Sequence, residues 1–333
     1  MKTLQIKAYG KLEDNLSFAD ITKPTVSKNQ VLIEVYAAGI NPIDYKIVEG
    51  ALKALSKLTF PAPIGFDVSG VVIEKGANVT NFNIGDKVYS RVPTDFPGTF
   101  SEYIAVDANV VNLKPANIDF TEAAGLPLTE LTTVQSFNKV NLKSGDKVLI
   151  HAGSGGIGTF AIQYAKSKGA FVYSTTSTKN LAWVKELGAD RVIDYKTENY
   201  LDIVKDIDIV YDTLGGNYTV DAFKVIKTGG KVVSIAGEID EESAKELGLN
   251  GVIRFILRLK SKKITKQALK KSAYYKFIMM TPSGNQLNDI KSLVENNKVK
   301  PVIDKIFAFS DAIDALVYQK SGRAKGKVVV TMK

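Results

Sequence analysis

Short runs of β-branched and aliphatic residues, separated by Gly, Pro and Asn, dominate roughly the first 120 residues of the chain. Residues 31–36 and 71–74 are two of these runs, and such runs between turn residues are typical of β-strands. After about residue 272 the pattern is mixed again, and it closes on a further strand over 328–331. Both ends of the chain are therefore expected to form β-rich structure.

The middle of the chain has a different pattern, in which strands and helices alternate from residue 146 onward. Runs rich in Val and Ile predict strands at 147–150, 171–173, 191–194, 207–210 and 231–235, and helices are predicted at 159–168 and 180–187. Near-continuous apolar strands that alternate with helices indicate a parallel sheet covered on both faces. We therefore expect an α/β protein in which a doubly wound domain (125–271) is inserted into a β-rich domain (1–124 and 272–333).

A glycine-rich turn follows the first strand of this doubly wound region. Gly153, Gly155 and Gly158 have the spacing of a dinucleotide-binding turn, and they lie between a strand and a helix as that turn requires. Glycine there permits a tight turn, close approach to a pyrophosphate and close packing of helix on strand. The turn predicts a nicotinamide cofactor; the alternative is a glycine turn that only packs the helix.

The residues after the second strand bear on which nicotinamide cofactor is bound. A carboxylate at this place binds the ribose 2′-hydroxyl of NADH, whereas a basic residue suits the 2′-phosphate of NADPH. Residues 174–180 read STTSTKN and carry hydroxyl groups and Lys179 but no carboxylate. NADPH is therefore predicted, with Thr176, Ser177 and Lys179 as candidate contacts. Lys179 as an ordinary surface lysine is the alternative.

Composition narrows the chemistry further. The 333 residues suggest about two domains and include 44 Lys and Arg, 35 Asp and Glu, one His and no Cys. Disulfides, thiolate chemistry and Cys-ligated or multi-His metal sites are thereby excluded. Residues 1–6 lack the apolar run of a secretory signal, and no apolar run approaches the length of a membrane span. We expect a cytoplasmic protein.

The net charge of +9 is confined to one window. Residues 247–288 hold nine basic residues and no acid, and the rest of the chain is balanced at 35 of each sign. A local patch does not indicate nucleic-acid binding. Three interpretations remain for 252–276: a helix packed by its apolar side with a solvated basic face, a weak peripheral contact with an anionic membrane, or attraction of a phosphorylated thioester substrate.

Eight short sequence motifs, spread over essentially the whole chain, occur in the order found in one protein family. They are AGINPIDYK at 38–46, PIGFDVSG at 63–70, GDKVY at 85–89, GTFSEY at 98–103, the glycine turn, LGAD at 187–190, DTLGG at 212–216 and GRAKGK at 322–327. The chain resembles the zinc-free quinone oxidoreductase branch of the medium-chain dehydrogenase/reductase superfamily. The resemblance implies a GroES-like catalytic domain with an inserted Rossmann NAD(P)-binding domain, and a homodimer.

The resemblance also bears on zinc. Zinc-dependent alcohol dehydrogenases of the superfamily have Cys where this chain has Asn41, and a His-Glu pair where it has Phe66 and Asp67. We therefore expect no metal, and without that Lewis acid the oxidation of an alcohol is disfavoured. The single histidine, His151, is interpreted as structural.

Site residues follow from the resemblance as well. It implies that Asn41 and Asp44 form the cleft floor beside the nicotinamide, with Tyr45 and Lys46 as candidate proton donors. The alternatives are a turn at Asn41, a Tyr45 packed in the core, and hydrogen-bond organisation by Asp44 and Asp67. The cofactor contacts that we expect are Thr132, Gly153, Ser154, Gly155, Gly156, Ile157, Gly158, Thr176, Ser177, Lys179, Tyr195, Leu214, Gly237 and Arg323.

The function expected from the sequence is a zinc-independent, NADPH-dependent reduction of quinones or α,β-unsaturated carbonyls. These acceptors are already electrophilic, so positioning by the protein is enough for hydride transfer. Three alternatives remain: a non-catalytic NADPH-binding protein of the same fold, an enoyl-thioester reductase, and a metal-free alcohol dehydrogenase.

Overall fold

The computed structural model describes residues 1–51, 53 and 58–333. The chain forms two compact units, one of Met1–Leu131 with Thr281–Lys333 and the other of Thr132–Met280. A β-rich unit is thus interrupted in sequence by a unit built on a parallel sheet, and the predicted fold class is confirmed.

The N-terminal part of the first unit contains eight strands and the first helices. Its elements are β1 (Lys2–Ile6), α1 (Leu12–Asn15), β2 (Leu16–Asp20), β3 (Gln30–Ile40), α2 (Pro42–Val48), β4 (Ala62–Pro63), β5 (Asp67–Lys75), β6 (Lys87–Arg91), β7 (Tyr103–Asp107), a 3₁₀ turn (Ala108–Val110), β8 (Val111–Leu113), α3 (Phe120–Ala124) and α4 (Pro127–Lys139). Helix α4 continues into the second unit, which begins at Thr132.

The second unit alternates strands and helices. Its elements after α4 are β9 (Lys147–Ile150), α5 (Gly156–Ser167), β10 (Phe171–Thr176), a 3₁₀ turn (Thr178–Asn180), α6 (Leu181–Glu186), β11 (Arg191–Asp194), α7 (Tyr200–Ile203), β12 (Ile207–Asp212), α8 (Asn217–Val225), β13 (Ile226–Ser234), α9 (Glu241–Glu246), α10 (Gly251–Lys260), α11 (Lys262–Lys270) and β14 (Tyr274–Phe277). The chain then returns to the first unit with α12 (Gly284–Glu295), β15 (Ile303–Ala308), a 3₁₀ turn (Phe309–Asp311), α13 (Ala312–Lys320) and β16 (Lys327–Thr331).

Strand β3 organises the first unit. It pairs antiparallel with β5, β7 and β16 in a seven-stranded sheet of order β15-β16-β3-β5-β6-β8, with β7 added on β3. Its inward side chains Val31, Ile33 and Val35 join a buried aliphatic cluster with Val68 and Val72 of β5. A second, three-stranded sheet has the order β2-β1-β4.

The second unit is built on a six-stranded parallel sheet of order β11-β10-β9-β12-β13-β14. The chain runs from β9 outward to β10 and β11, then crosses to the other side of β9 with β12. This reversal is the switch point at which open α/β sheets bind their ligands, at the carboxyl ends of the strands. The five strands predicted from the sequence are present, and β14 adds a sixth beyond residue 271.

Helix α10 departs from the expectation that it packs by its apolar side. None of its residues is buried, and large apolar side chains of the helix are exposed. That interpretation of the basic window is therefore wrong for α10. In the described part of the chain, no helix is both long and apolar enough to cross a bilayer.

The turn into α5 depends on close backbone contact. A Cβ added at Gly158 would lie 2.3 Å from the carbonyl oxygen of Ala152 and 2.7 Å from Cα of Gly153. These neighbours are backbone atoms, which cannot rotate away as a flexible side chain can. Glycine at position 158 is therefore required for α5 to begin so close to β9.

We predict that Gly158→Ala lowers the free energy of unfolding of the cofactor-free protein by about 1–3 kcal/mol, because the extra methyl overpacks the turn. Gly251→Ala is the matched control, since a Cβ at this exposed first residue of α10 meets nothing within 4 Å. Urea unfolding followed by circular dichroism measures both. Equal stability of the two variants would contradict the packing role of Gly158.

Candidate functional site

Strand ends of the first unit converge at one place because of the register of its larger sheet. β3 ends one residue before Asn41, and its last pairs place it alongside Asp67, the first residue of β5. Asp67 pairs in turn with Arg91, the last residue of β6. Lys327 opens β16, which pairs antiparallel with the end of β3. Four polar side chains from distant parts of the sequence thus lie together.

Asn41, Asp67 and Lys327 form the centre of this buried polar cluster. The amide of Asn41 donates from Nδ2 to Oδ2 of Asp67 at 2.8 Å, and its Oδ1 accepts from Nζ of Lys327. Nζ of Lys327 is 3.6 Å from Oδ2 of Asp67, and the N–H of Leu128 donates to Oδ1 of Asp67 at 3.1 Å. The ammonium group therefore fixes the amide orientation and compensates the buried carboxylate.

Asp44 joins the cluster from the first turn of α2. Its Oδ2 accepts from the backbone N–H of Asn41 at 2.6 Å, and its Oδ1 has no hydrogen-bond partner among the described residues. Burial, with a smaller contribution from the nearby carboxylate of Asp67, raises the pKa of Asp44 to about 7 against the lowering effect of the Asn41 hydrogen bond. Asp44 therefore exists in both protonated and ionised forms near neutral pH.

Arg91 and Glu130 complete the cluster. The guanidinium of Arg91 donates to the carbonyl of Val92 and to Oγ1 of Thr94, and it lies 4.8 Å from the ring centroid of Phe66. Glu130 of α4 is fully buried, and burial raises its pKa well above the ordinary value. Burial and the neighbouring carboxylate of Asp67 therefore favour the neutral form of Glu130, while Lys327 opposes them.

Tyr45 and Lys46 do not join this cluster. Tyr45 lies on another side of α2 and packs against the apolar core beneath β1 and α13, while Lys46 is exposed. Burial and the carboxylate of Glu49 raise the pKa of Tyr45. The expected floor residues Asn41 and Asp44 are therefore a buried pair, whereas the candidate proton donors Tyr45 and Lys46 lie on other faces of α2.

The residues present do not fit a zinc ion. Asn41 uses both ends of its amide within the cluster, and Phe66 offers no ligand atom. A cation, Lys327, already lies beside Asp67, so a divalent ion there would face like-charge repulsion. Among residues 1–51, 53 and 58–333 there is no group of three or more His, Cys, Asp or Glu side chains that could hold a metal.

Lys327, Arg91 and Glu130 are absent from the residues selected from the sequence. All three are charged, and a charged residue ordinarily lies at a solvated position. A lysine opening the apolar strand Lys327–Thr331 and an acid between Leu128 and Leu131 in the helix Pro127–Lys139 were the available signals. Both are charges placed where neighbouring residues are buried.

The second unit brings most predicted cofactor residues to one edge. Gly153, Ser154 and Gly155 follow β9; Gly156, Ile157 and Gly158 open α5; Thr176 ends β10, with Ser177 and Lys179 after it; Tyr195, Leu214 and Gly237 follow β11, β12 and β13. Because all strands are parallel, these positions share the carboxyl edge of the sheet. Thr132 lies in α4 of the same unit, and Arg323 lies in the first unit between α13 and β16.

The start of α5 fits a pyrophosphate. A Cβ at Gly155 would meet only the carbonyl oxygen of Ala152, at 3.4 Å, so the approach to the loop is open. The first N–H groups of a helix have no partner within the helix and attract an anion together with the helix dipole. Gly156, Ile157 and Gly158 provide these groups.

The ends of β10 and β11 lie side by side, since Thr176 pairs with Asp194 and the N–H of Tyr195 donates to the carbonyl of Thr176 at 3.1 Å. Tyr195 is 56% exposed and Lys179 is exposed, so both side chains are free to contact a phosphate. The carboxylate of Asp194 accepts hydrogen bonds from the hydroxyl of Thr178 and the N–H of Lys196, which lower its pKa. This edge therefore offers a cation and hydroxyl groups, and the Asp194 carboxylate beside them is engaged by Thr178 and Lys196.

His151 is a buried neutral side chain. Its Nδ1 is 3.2 Å from Oγ1 of Thr175, and its ring packs edge-on against Tyr200 and Tyr218. Burial lowers the pKa of His151 to about 4, against the raising effect of Asp212. This environment agrees with the interpretation of His151 as structural.

The buried ion pair leads to a stability prediction. Lys327→Met leaves the Asp67 carboxylate uncompensated and is expected to lower the free energy of unfolding by about 3–5 kcal/mol. The double variant Asp67→Asn/Lys327→Met removes both charges and is expected to recover much of that loss. Urea unfolding of the wild type, both single variants and the double variant measures the coupling. Additive effects of the single variants would contradict it.

Two families of known proteins match parts of the chain. Residues 27–116 match the family described as alcohol dehydrogenase GroES-like domain, and residues 187–330 match the family described as zinc-binding dehydrogenase. The second description names zinc, although the Asn41 cluster does not offer a zinc site.

Full-length relatives are similar along nearly the entire chain. The 2-methylene-furan-3-one reductase of Solanum lycopersicum and the chloroplastic NADPH-dependent alkenal/one oxidoreductase of Arabidopsis thaliana are each 35% identical over 341 residues, covering 99% of this chain and 79% of theirs. The structure of the quinone oxidoreductase from Coxiella burnetii superposes with a TM-score of 0.86 at 33% identity, covering 100% of this chain and 99% of that one. The chain belongs to the medium-chain dehydrogenase/reductase superfamily, in the branch that contains the quinone oxidoreductases.

Proposed function

We propose that this protein is an NADPH-dependent reductase that delivers hydride to quinones or α,β-unsaturated carbonyls without a metal ion. The observation that carries the proposal is the buried Asn41–Asp67–Lys327 cluster, in which an ammonium group lies where a zinc enzyme would need a ligand set. The relatives named as alkenal and quinone oxidoreductases support the same class of acceptor.

Hydride reduction of these acceptors needs little chemistry from the protein. NADPH supplies the hydride when it is bound. The acceptor gains two electrons and one hydrogen, and a proton from a side chain or water completes the reduction at the carbon or oxygen that carries the developing negative charge. Because an enone or quinone is electrophilic before binding, the protein contributes positioning and charge stabilisation rather than a Lewis acid.

The candidate residues fall into groups that bind the cofactor and a group that lies beside the reacting atoms. The first turn of α5 binds the pyrophosphate, and Ser177, Lys179 and Tyr195 bind the 2′-phosphate. The remaining proposed contacts to the cofactor are Thr132, Gly153, Ser154, Gly155, Thr176, Leu214, Gly237 and Arg323. Asn41 and Asp44 form the floor beside the reacting atoms.

Three side chains are proposed as the proton source: Tyr45, Lys46 and Asp44. Tyr45 is half-buried with a raised pKa, so it remains protonated at neutral pH, and Lys46 is exposed and hydrated. Asp44, whose pKa of about 7 keeps a protonated fraction, supplies a buried proton close to Asn41. We also propose a homodimer, following the resemblance to quinone oxidoreductases, and a cytoplasmic location, which suits a chain without cysteine.

The activity is tested with a panel of acceptors and the purified protein. We expect NADPH oxidation with quinones and enals at rates that a strong chelator does not change. Binding of NADPH without turnover would favour a non-catalytic protein, and reduction of NADP⁺ by alcohols would favour a dehydrogenase. Loss of activity on chelation, restored by zinc, would contradict the metal-free mechanism.

The 2′-phosphate site is tested by Lys179→Ala. Loss of one charge-assisted hydrogen bond is expected to raise KM for NADPH about tenfold or more, with KM for NADH nearly unchanged. Lys185→Ala on α6, an exposed lysine in the next helix, is the matched control. Steady-state kinetics with both cofactors decides it, and equal effects on NADPH and NADH would show that Lys179 does not bind the phosphate.

A further inference from the structure

Helices α10 and α11 carry an exposed surface that contains none of the residues proposed to contact the cofactor. We call it the α10–α11 surface. It consists of an apolar row on α10 (Val252, Phe255, Ile256 and Leu259) and six outward basic residues (Arg258, Lys260, Lys262, Lys263, Lys266 and Lys270).

The apolar row is a continuous stripe on one side of α10. Its four members are spaced i, i+3, i+4 and i+7, which places them on the same face of a helix. Phe255 is 52% exposed and Leu259 is 55% exposed. The helix thus presents its most apolar side to solvent, and an exposed apolar patch of this kind marks a site of contact.

Basic side chains surround this stripe. Arg258 and Lys260 flank it on α10 at the neighbouring helical positions. Helix α11 buries Ile264 and Ala268, so Lys262, Lys266 and Lys270 lie on its outer side. Alternating apolar and cationic faces of this type are typical of helices that lie in the interface of a membrane.

Some basic residues of the window 252–276 already have partners within the protein. Lys276 is buried and lies 2.8 Å from the carboxylate of Glu246, and Arg254 pairs with Glu241 at 3.2 Å. Lys271 donates to the carbonyl of Ile226. None of the six outward bases takes part in an ion pair found among the described residues. The charge available to a partner therefore belongs to residues 258–270 rather than to the whole of 252–276.

We propose that the α10–α11 surface binds an anionic lipid bilayer. Phosphate headgroups would neutralise the six cations, and the row of Val252, Phe255, Ile256 and Leu259 would enter the boundary between headgroups and acyl chains. A free phosphorylated ligand would satisfy the cations but leave the apolar row in water. A bilayer satisfies both.

A second copy of the chain fits this surface less well than a bilayer. Symmetric dimers bring the same patch of each subunit together, so the basic residues of one copy would face those of the other. Like charges placed across an interface are repulsive, and no acid lies between residues 247 and 288 to offset them. The lipid proposal stands independently of the acceptor that the enzyme reduces.

Co-sedimentation of the full-length protein with lipid vesicles tests the proposal. We expect recovery with phosphatidylcholine–phosphatidylglycerol vesicles but not with phosphatidylcholine alone, and release by high salt. Phe255→Ser/Leu259→Ser is expected to lower the apparent partition coefficient at least about tenfold, and so is the quadruple change of Lys262, Lys263, Lys266 and Lys270 to Gln. NADPH binding by the variants verifies that they are folded.

The matched control removes the same charge elsewhere, by changing the exposed Lys7, Lys11, Lys28 and Lys205 to Gln. This control is expected to bind vesicles like the wild type. Equal recovery with neutral and anionic vesicles, or equal losses in the control and the Lys262–Lys270 variant, would overturn the proposal. So would dissociation of a dimer by Phe255→Ser/Leu259→Ser without any change in lipid binding, because the row would then be an interface between copies.

Discussion

The contact between Lys327 and the Asn41–Asp67 pair is the constraint on which the β-rich unit depends. Burying a lysine and an aspartate is costly, and the cost is met only if their charges compensate each other and their hydrogen bonds are made. That requires β3, β5 and β16 to hold one register, since a shift of one residue would turn these side chains to the other face of the sheet. The same contact orients the amide of Asn41, so the geometry of the candidate site and the integrity of the sheet have one cause.

Local sequence patterns were sufficient to predict most strands of the second unit. Strands such as Ile207–Asp212 are rich in apolar residues because both faces of a parallel sheet are covered, and such runs can be recognised in the sequence. The last strand, Tyr274–Phe277, lacks this signature because it contains Lys276. That lysine is buried beside Glu242 and Glu246 of α9, and its burial depends on partners about thirty residues away along the chain.

The candidate site shows the same division between local and distant information. The glycine turn could be predicted from its sequence alone, because the backbone is so crowded at positions such as Gly158 that glycine is required there. The burial of Lys327 and Glu130 follows from tertiary register and has no local signature beyond a charge among apolar neighbours. Helix α10 shows the converse: its periodicity was recognised, but periodicity alone does not say which side of a helix faces the protein.

The insertion of one unit into the other has a consequence for the order of assembly. Lys327 and Asn41 are separated by 286 positions, so the polar cluster needs a strand from the last few residues of the chain. During synthesis the parallel sheet has all of its strands before β16 leaves the ribosome, while residues 37–40 at the end of β3 lack their partner on one edge. An unpaired edge on a central strand is exposed to wrong partners. The newly made protein is thus most vulnerable to aggregation in the interval between completion of the cofactor-binding unit and arrival of its final strand.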